Sequence, residues 1–168
     1  MKEEKRWISS EALFSAVEEL LAENRQAIFT VTGMSMWPFL CHGRDQAVVE
    51  HCNPETLKKG DIVLFQTVLG NYMLHRVTGL EENRFETTGD GNCFRDGWFS
   101  ADCVKARAVT LIRKGQKIDC RSPVWKLIFH VWMFLFPVRK YLLCLLVKIS
   151  RWKNMVDVWK AVERQRHL

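Results

Sequence analysis

Apolar and polar residues follow three different patterns along the chain. Between residues 8 and 26 the apolar residues recur at helical spacing, and Ser9 or Ser10 can serve as the N-cap. These apolar positions are Leu13, Ala16, Val17, Leu20 and Leu21. The pattern predicts an amphipathic helix that docks on a core and is too polar to span a bilayer.

From about residue 27 to residue 122, short apolar runs alternate with Gly, Asn and Pro turn signals, which is typical of strands. Gly70-Asn71 lies between two such runs and suits a hairpin turn. The pattern predicts a mainly β, antiparallel sheet or partly closed barrel. The predicted strands are Ala27–Thr32, Gln46–Glu50, Asp61–Thr67, Tyr72–Val77, Arg84–Thr88 and Val104–Arg113.

The third pattern begins near residue 123 and is helical and strongly apolar. Residues 127–147 are rich in Leu, Phe, Trp and Val, but His130, Pro137, Arg139 and Lys140 interrupt them. The apolar runs on either side of Pro137 are shorter than the roughly 20 residues that a span needs. We therefore expect a broken pair of helices at a membrane interface in preference to a transmembrane span. A packed core helix is the alternative.

These patterns divide the chain into three parts. They are an amphipathic helix (1–26), a β-rich domain (27–122) and an apolar, basic helical segment (123–168).

Charge is distributed unevenly between these parts. Residues 1–104 carry 10 basic and 16 acidic residues, whereas residues 105–168 carry 15 basic and 3 acidic residues. The last third also holds four of the seven tryptophans. Basic residues mixed with Trp and Leu favour an anionic membrane surface as the partner and argue against nucleic acid.

The six cysteines do not suggest a metal or redox centre. No two of them form a C-x-x-C pair, so we expect no metal and no organic cofactor. The first residues are charged and contain no apolar signal-peptide core. We therefore expect reduced, mostly buried thiols and a β-rich domain on the cytoplasmic side of a membrane.

Three short segments contain residue types that perform chemistry. In the first, Ser35 lies between Met34 and Met36 and shortly before Pro38, where the methionines could line a pocket for an extended peptide. In the second, His75 shares a strand face with apolar neighbours. Taken singly, an ordinary turn explains the first segment equally well, and a histidine on such a face is more often a satisfied core residue.

The third segment is Thr87–Asn92, which contains Asp90 between two glycines and is followed by Asp96. Asp and Gly are common in turns for backbone reasons alone. The three segments together supply Ser, His and Asp, which are the residue types of a nucleophile, a general base and an orienting acid.

Four segments in this order resemble the boxes of type I signal peptidases. Ser35-Met36-Trp37-Pro38 resembles the Ser-Met-x-Pro box, and Leu57–Val63 resembles the Gly-Asp-Ile/Val-Val strand that follows it. His75-Arg76-Val77 resembles the base-bearing box of the ER-type branch, which has His where the usual bacterial enzymes have Lys. Gly89–Asn92 resembles that branch's Gly-Asp-Asn-Asn box, and Asp96 falls at its second Asp. The resemblance covers roughly residues 28–110.

The resemblance implies a serine endopeptidase that cleaves signal or leader peptides and has a mostly β catalytic fold. Ser35 would be the nucleophile and His75 the general base, with Asp90, Asp96 or both orienting the imidazole. The backbone N–H of Ser35 would stabilise the oxyanion. Many members add a hydroxyl from the residue two positions earlier, but that residue here is Gly33. The peptide would bind in an extended form near Met34, Met36 and Pro38.

Two other functions remain open at this stage. The chain could be an inactive, membrane-associated scaffold of the same fold that binds peptides. A self-cleaving regulator is a weaker alternative, although Gly33–Met36 also resembles the serine box of LexA-like repressors. The 26 residues before the first strand are too few for a helix-turn-helix domain, and no Ala-Gly or Cys-Gly cleavage dipeptide occurs.

Overall fold

The computed structural model describes residues 10–150, with side chains from residue 12 onward. Two compact units are present, and the boundary between them lies between Met133 and Phe134. The first unit therefore extends past residue 122 and contains nearly all of the first C-terminal helix. The expectations for residues 1–9 and 151–168 lie outside the described residues.

The first unit is built around one antiparallel sheet of eight strands. Seven strands lie in the order β1-β2-β7-β3-β4-β5-β6, and β8 pairs with β7. The strands are β1 Ala27–Thr30, β2 Gln46–Glu50, β3 Ile62–Gln66, β4 Tyr72–Glu81, β5 Arg84–Thr88, β6 Gly97–Ser100, β7 Val104–Arg113 and β8 Gln116–Asp119.

The mainly β prediction with flanking helices is confirmed, and all six predicted strands are present. β4 is longer than expected and continues to Glu81. The sequence pattern does not predict β6 and β8, which are four residues each and largely exposed. Such short edge strands carry too few apolar residues for an alternation to be recognised.

Helix α1, Ser10–Ala22, packs on the sheet near β1 and β4. The Phe14 ring stacks on Tyr72 at a centroid distance of 4.1 Å and meets Phe29 edge-on at 5.9 Å. The Tyr72 hydroxyl donates a hydrogen bond of 3.0 Å to Glu18 Oε1. α1 is thus a docked, amphipathic helix, as its sequence predicts.

A cluster of buried side chains lies on one face of the sheet. Phe65 and Phe85 meet edge-on at 5.3 Å, and Phe99 packs against Phe65 at 4.7 Å. Val63 and Val77 belong to the same cluster. Since Val63 is the cross-strand partner of His75, this cluster fixes the strand segment that carries the candidate base.

The C-terminal part is helical, as predicted. Helix α2 is Pro123–Phe134, and in the second unit a 3-10 turn, Phe136–Val138, leads into a helix over residues 139–150. Within residues 10–150, no single helix is long and apolar enough to cross a membrane. Only Pro123–Phe134 and Phe136–Ser150 taken together meet that requirement, by length and composition alone.

All six cysteines are free thiols. Cys52 is buried and Cys93 and Cys144 are exposed, so burial is less complete than the sequence analysis expects. Burial raises the pKa of Cys52 and of Cys120 to about 11. These two thiols therefore remain protonated, and weakly nucleophilic, at neutral pH.

Candidate active site

His75 forms a buried pair with Asp96. His75 Nδ1 lies 2.6 Å from Asp96 Oδ2, and the two side chains are only 5% and 6% exposed. Asp96 Oδ2 also accepts a hydrogen bond of 2.9 Å from the Thr87 hydroxyl, and the Asp96 N–H donates to Thr87 O. A carboxylate held in this way accepts a hydrogen bond from the Nδ1–H of a neutral imidazole, whose Nε2 then has a free electron pair.

Asp90 has a different partner. The Arg76 guanidinium donates two hydrogen bonds to its carboxylate, from Nε at 2.8 Å and from Nη2 at 2.7 Å. Both side chains are 1% exposed. His75 and Arg76 are neighbours on β4, so their side chains project from opposite faces of the sheet. Each side chain therefore pairs with a different aspartate. Asp96 orients the imidazole, and Asp90 neutralises the adjacent arginine.

Aromatic rings and one carbonyl enclose the rest of the Arg76 guanidinium. Nη1 donates to Gly60 O at 2.8 Å, and the Phe129 ring lies 4.0 Å from Cζ. Trp132 Nε1 donates a hydrogen bond of 3.2 Å to Asp90 O. Phe129 and Trp132 belong to α2, which therefore closes this side of the site.

The loop that carries Ser35 packs directly on the loop that carries Asp90. The Gly91 N–H donates a hydrogen bond of 2.7 Å to Ser35 O. A Cβ at Gly89 would lie 2.5 Å from Ser35 O, and a Cβ at Gly91 would lie 2.7 Å from Met34 O. These glycines therefore allow the loop that carries Ser35 and the loop that carries Asp90 to approach each other closely.

Replacing Gly91 by alanine is expected to destabilise the protein and to lower any activity of Ser35. The new methyl would meet two backbone oxygens, Met34 O and Trp37 O at 3.0 Å, which cannot rotate away. Overpacking of this kind costs about 1–3 kcal/mol. Urea denaturation measures the cost, and exposed Cys93→Ala in the same loop is the matched control. An alanine variant as stable as the control would contradict the close packing.

The backbone around Ser35 leaves one donor available. Among the described residues, the Ser35 N–H donates to no acceptor, so it can bind an oxyanion. The Gly33 N–H is already bonded to His42 Nδ1 at 2.9 Å, and Thr32 is exposed. Within the described residues, Ser35 Oγ makes no hydrogen bond with His75. Such bonds are often long without substrate and tighten in the complex.

A buried carboxylate, Asp45, ties the C-terminal end of the loop that carries Ser35 to the β7–β8 turn. Its side chain accepts hydrogen bonds from the N–H of Cys41 at 2.8 Å and of Lys114 at 3.1 Å, and from the Arg44 guanidinium. Burial by itself would raise the pKa of Asp45. The hydrogen bonds from Arg44, Lys114 and Cys41 outweigh burial and hold that pKa below its ordinary value.

Asp45→Asn is therefore expected to lower the free energy of unfolding by about 1.5–3 kcal/mol at neutral pH. Because the pKa of Asp45 is lowered by folding, its stabilisation is fully present above about pH 4 and is lost as the pH falls through the folded-state pKa. The difference between wild type and variant should therefore shrink in acid. Urea denaturation across this pH range measures it, with exposed Glu82→Gln as the control. A difference that stays constant as the pH falls would contradict this assignment.

The three residues expected to contact substrate lie in different environments. Met34 is 54% exposed and Pro38 is half-buried, after a cis Trp37-Pro38 peptide bond. Met36 is only 1% exposed and packs inward, unlike the pocket-lining position that the sequence suggests. Met34 is therefore the methionine available to a bound peptide.

Several supporting residues escape the sequence analysis. Arg76 belongs to the segment His75-Arg76-Val77. A charged residue within an apolar strand is the feature of the sequence that could have identified it as a buried, paired group. Thr87, Asp45 and Trp132 gave no comparable signal, and the bonds of Asp45 to Lys114 and of Trp132 to Asp90 join segments far apart in sequence. Among residues 10–150, no cluster of His, Cys, Asp or Glu could hold a metal ion.

The contacts thus join His75 to Asp96, Arg76 to Asp90 and the Ser35 loop to the Asp90 loop. A scan against protein-family models finds no match for the chain, and a search of curated proteins finds none either.

Proposed function

We propose that this protein is a serine endopeptidase with a signal peptidase/LexA-like catalytic fold, which cleaves signal or leader peptides. The observation that carries the proposal is the buried His75–Asp96 pair, in which Nδ1 and Oδ2 are 2.6 Å apart. A histidine that only fills a core needs no buried carboxylate at this distance.

In the proposed reaction, Ser35 Oγ attacks the carbonyl carbon of the scissile peptide bond while His75 Nε2 accepts the hydroxyl proton. The Ser35 N–H stabilises the negative charge on the carbonyl oxygen. The C–N bond then breaks, and the leaving amine takes the proton from His75. Water, deprotonated by His75, hydrolyses the acyl ester and restores Ser35.

Membrane association through the segment from residue 123 onward is part of the proposal. It is supported by the apolar composition of α2 and by the excess of basic residues in the last third. Since basic segments favour the cytoplasmic leaflet, we place the catalytic domain on that side. A peptide anchored in the same bilayer would reach the site along the membrane surface.

The test is cleavage of a panel of leader and signal peptides that have small residues at positions −3 and −1, followed by mass spectrometry. Wild type, Ser35→Ala and His75→Ala are compared in detergent, with exposed Ser15→Ala as the control. We expect cleavage by wild type and the control and none by the other two variants. Cleavage that persists in Ser35→Ala would exclude the mechanism. Intact binding of panel peptides without cleavage by wild type would instead support the inactive scaffold.

A further inference from the structure

Strand β5 lies between the two residues of the buried His75–Asp96 pair. It pairs with β4, which carries His75, on one side and with β6, which directly follows Asp96, on the other. Asp96 therefore reaches His75 near the C-terminal end of β5. Thr87 of β5 is opposite Val77 on β4 and opposite Gly97 on β6, so it lies beside both halves of the pair.

The Thr87 side chain shares a face of the sheet with His75. Thr87 is opposite Val77, and His75 precedes Val77 by two residues, so the three side chains project to the same side. Thr87 is fully buried, and its hydroxyl donates a hydrogen bond of 2.9 Å to Asp96 Oδ2. The same oxygen lies 2.6 Å from His75 Nδ1. The hydroxyl therefore holds the carboxylate in the rotation that directs Oδ2 at the imidazole.

The backbone at Asp96 is held independently of this hydroxyl. The Asp96 N–H donates a hydrogen bond of 2.9 Å to Thr87 O. On the other face of β5, the Arg95 guanidinium pairs with the Glu86 carboxylate, which is 9% exposed. Removal of the Thr87 hydroxyl would leave both contacts in place. Its expected effect is therefore confined to the orientation of the Asp96 carboxylate.

The neighbouring threonine shows that burial in β5 does not by itself produce such a bond. Thr88 is 1% exposed, and its hydroxyl makes no hydrogen bond within residues 10–150. Its side chain projects from the opposite face to that of Thr87. Of these two adjacent buried hydroxyls, the one on the His75 face is bonded to the carboxylate. Thr88 is therefore a matched control for Thr87.

We infer that Thr87 is a positioning residue of the proposed peptidase, whose hydroxyl holds Asp96 Oδ2 against His75 Nδ1 and so keeps the proton of the neutral imidazole on Nδ1. This inference deepens the proposed function and rests on it for its effect on cleavage. The location of the imidazole proton is measured without any substrate, so the two can fail separately.

The first measurement is the tautomer of His75 in the full chain, from long-range ¹H–¹⁵N spectra of protein labelled with ¹⁵N-histidine. Spectra are recorded in detergent at about pH 8, where ordinary histidines are neutral. Loss of its signal in His75→Gln identifies the residue. We expect the Nδ1–H tautomer in the wild type and a shift toward the Nε2–H tautomer in Thr87→Val, because valine has the shape of threonine but no donor. Thr87→Ser should keep the wild-type tautomer.

The second measurement is steady-state cleavage of a panel peptide. Thr87→Val should lower kcat by about 10- to 100-fold with little change in KM, because it misdirects the base and leaves the peptide-binding groups intact. Thr87→Ser should recover most of this loss. Thr88→Val removes the adjacent buried hydroxyl and should change neither the tautomer of His75 nor kcat. Circular dichroism confirms that each variant is folded, and Thr87→Ala replaces the valine variant if that variant is unfolded.

An unchanged His75 tautomer in the variant without the Thr87 hydroxyl would overturn the inference, whatever the cleavage assay shows. Equal shifts in Thr87→Val and Thr88→Val would also overturn it, because they would indicate a general effect of packing in β5. A wild type without the Nδ1–H tautomer would do the same. A tautomer that shifts as expected in a chain that cleaves no peptide would contradict the proposed function and support the role of Thr87 in holding the pair.

Discussion

Asp96→Asn is expected to lower kcat/KM for peptide cleavage by about 10³- to 10⁴-fold while leaving the protein folded. The carboxylate Oδ2 lies 2.6 Å from His75 Nδ1 and requires that nitrogen to carry the proton. An asparagine amide can donate to Nδ1 instead. The imidazole would then carry its proton on Nε2 and could not accept the proton of Ser35.

Steady-state kinetics on a cleaved panel peptide measures this effect, with Asp102→Asn as the control. Asp102 is an exposed carboxylate that follows β6 and lies outside the site. Thermal unfolding of both variants separates a catalytic loss from a loss of fold. An Asp96→Asn enzyme that retains more than about a tenth of wild-type kcat/KM, well above the expected loss, would remove Asp96 from the mechanism.

Arg76→Met is expected to destabilise the protein by about 3–5 kcal/mol, which is a large part of the stability of a domain this size. The substitution leaves the Asp90 carboxylate 1% exposed without its cation. It also removes the donor to Gly60 O and the charge beneath the Phe129 ring. Urea denaturation at neutral pH measures the free energy of unfolding.

Two comparisons distinguish loss of the buried pair from a general effect of losing an arginine. Arg84→Met breaks an exposed ion pair, in which the Arg84 side chain is 61% exposed and the Glu81 side chain 49%. This substitution should lower the free energy of unfolding by less than about 1 kcal/mol. Arg76→Met/Asp90→Asn removes both charges and should recover part of the loss. A double variant whose loss of unfolding free energy equals or exceeds the sum of the two single losses would contradict the described coupling of the two charges.

Much of the sheet could be predicted because its central strands are continuous apolar runs between turn residues. β3, Ile62–Gln66, has four buried positions in a row and is bounded by Gly60 and Gly70. β6 and β8 could not be recognised in the same way, since they are edge or near-edge strands with little buried surface. Their pairing depends on β5 and β7, which lie beside them only in the folded chain.

The sequence predicted which residue types form the candidate site, but not which of these residues contact one another. Strand alternation separates the His75 and Arg76 side chains, and this much follows from sequence. The pairing of each with Asp96 or Asp90 depends on the path of the loop after Thr88, which no periodicity describes. The roles of Asp45 and of α2 depend on contacts between segments far apart in sequence, such as Lys114 N–H with Asp45.

The hydrogen bond from Trp132 to the Asp90 carbonyl has a practical consequence for preparing this protein. Truncation at residue 122 would keep all eight strands but would remove both the indole donor and the Phe129 ring that covers the Arg76 guanidinium. The buried ion pair would then face water on one side. A shortened form of the sheet domain should therefore keep α2.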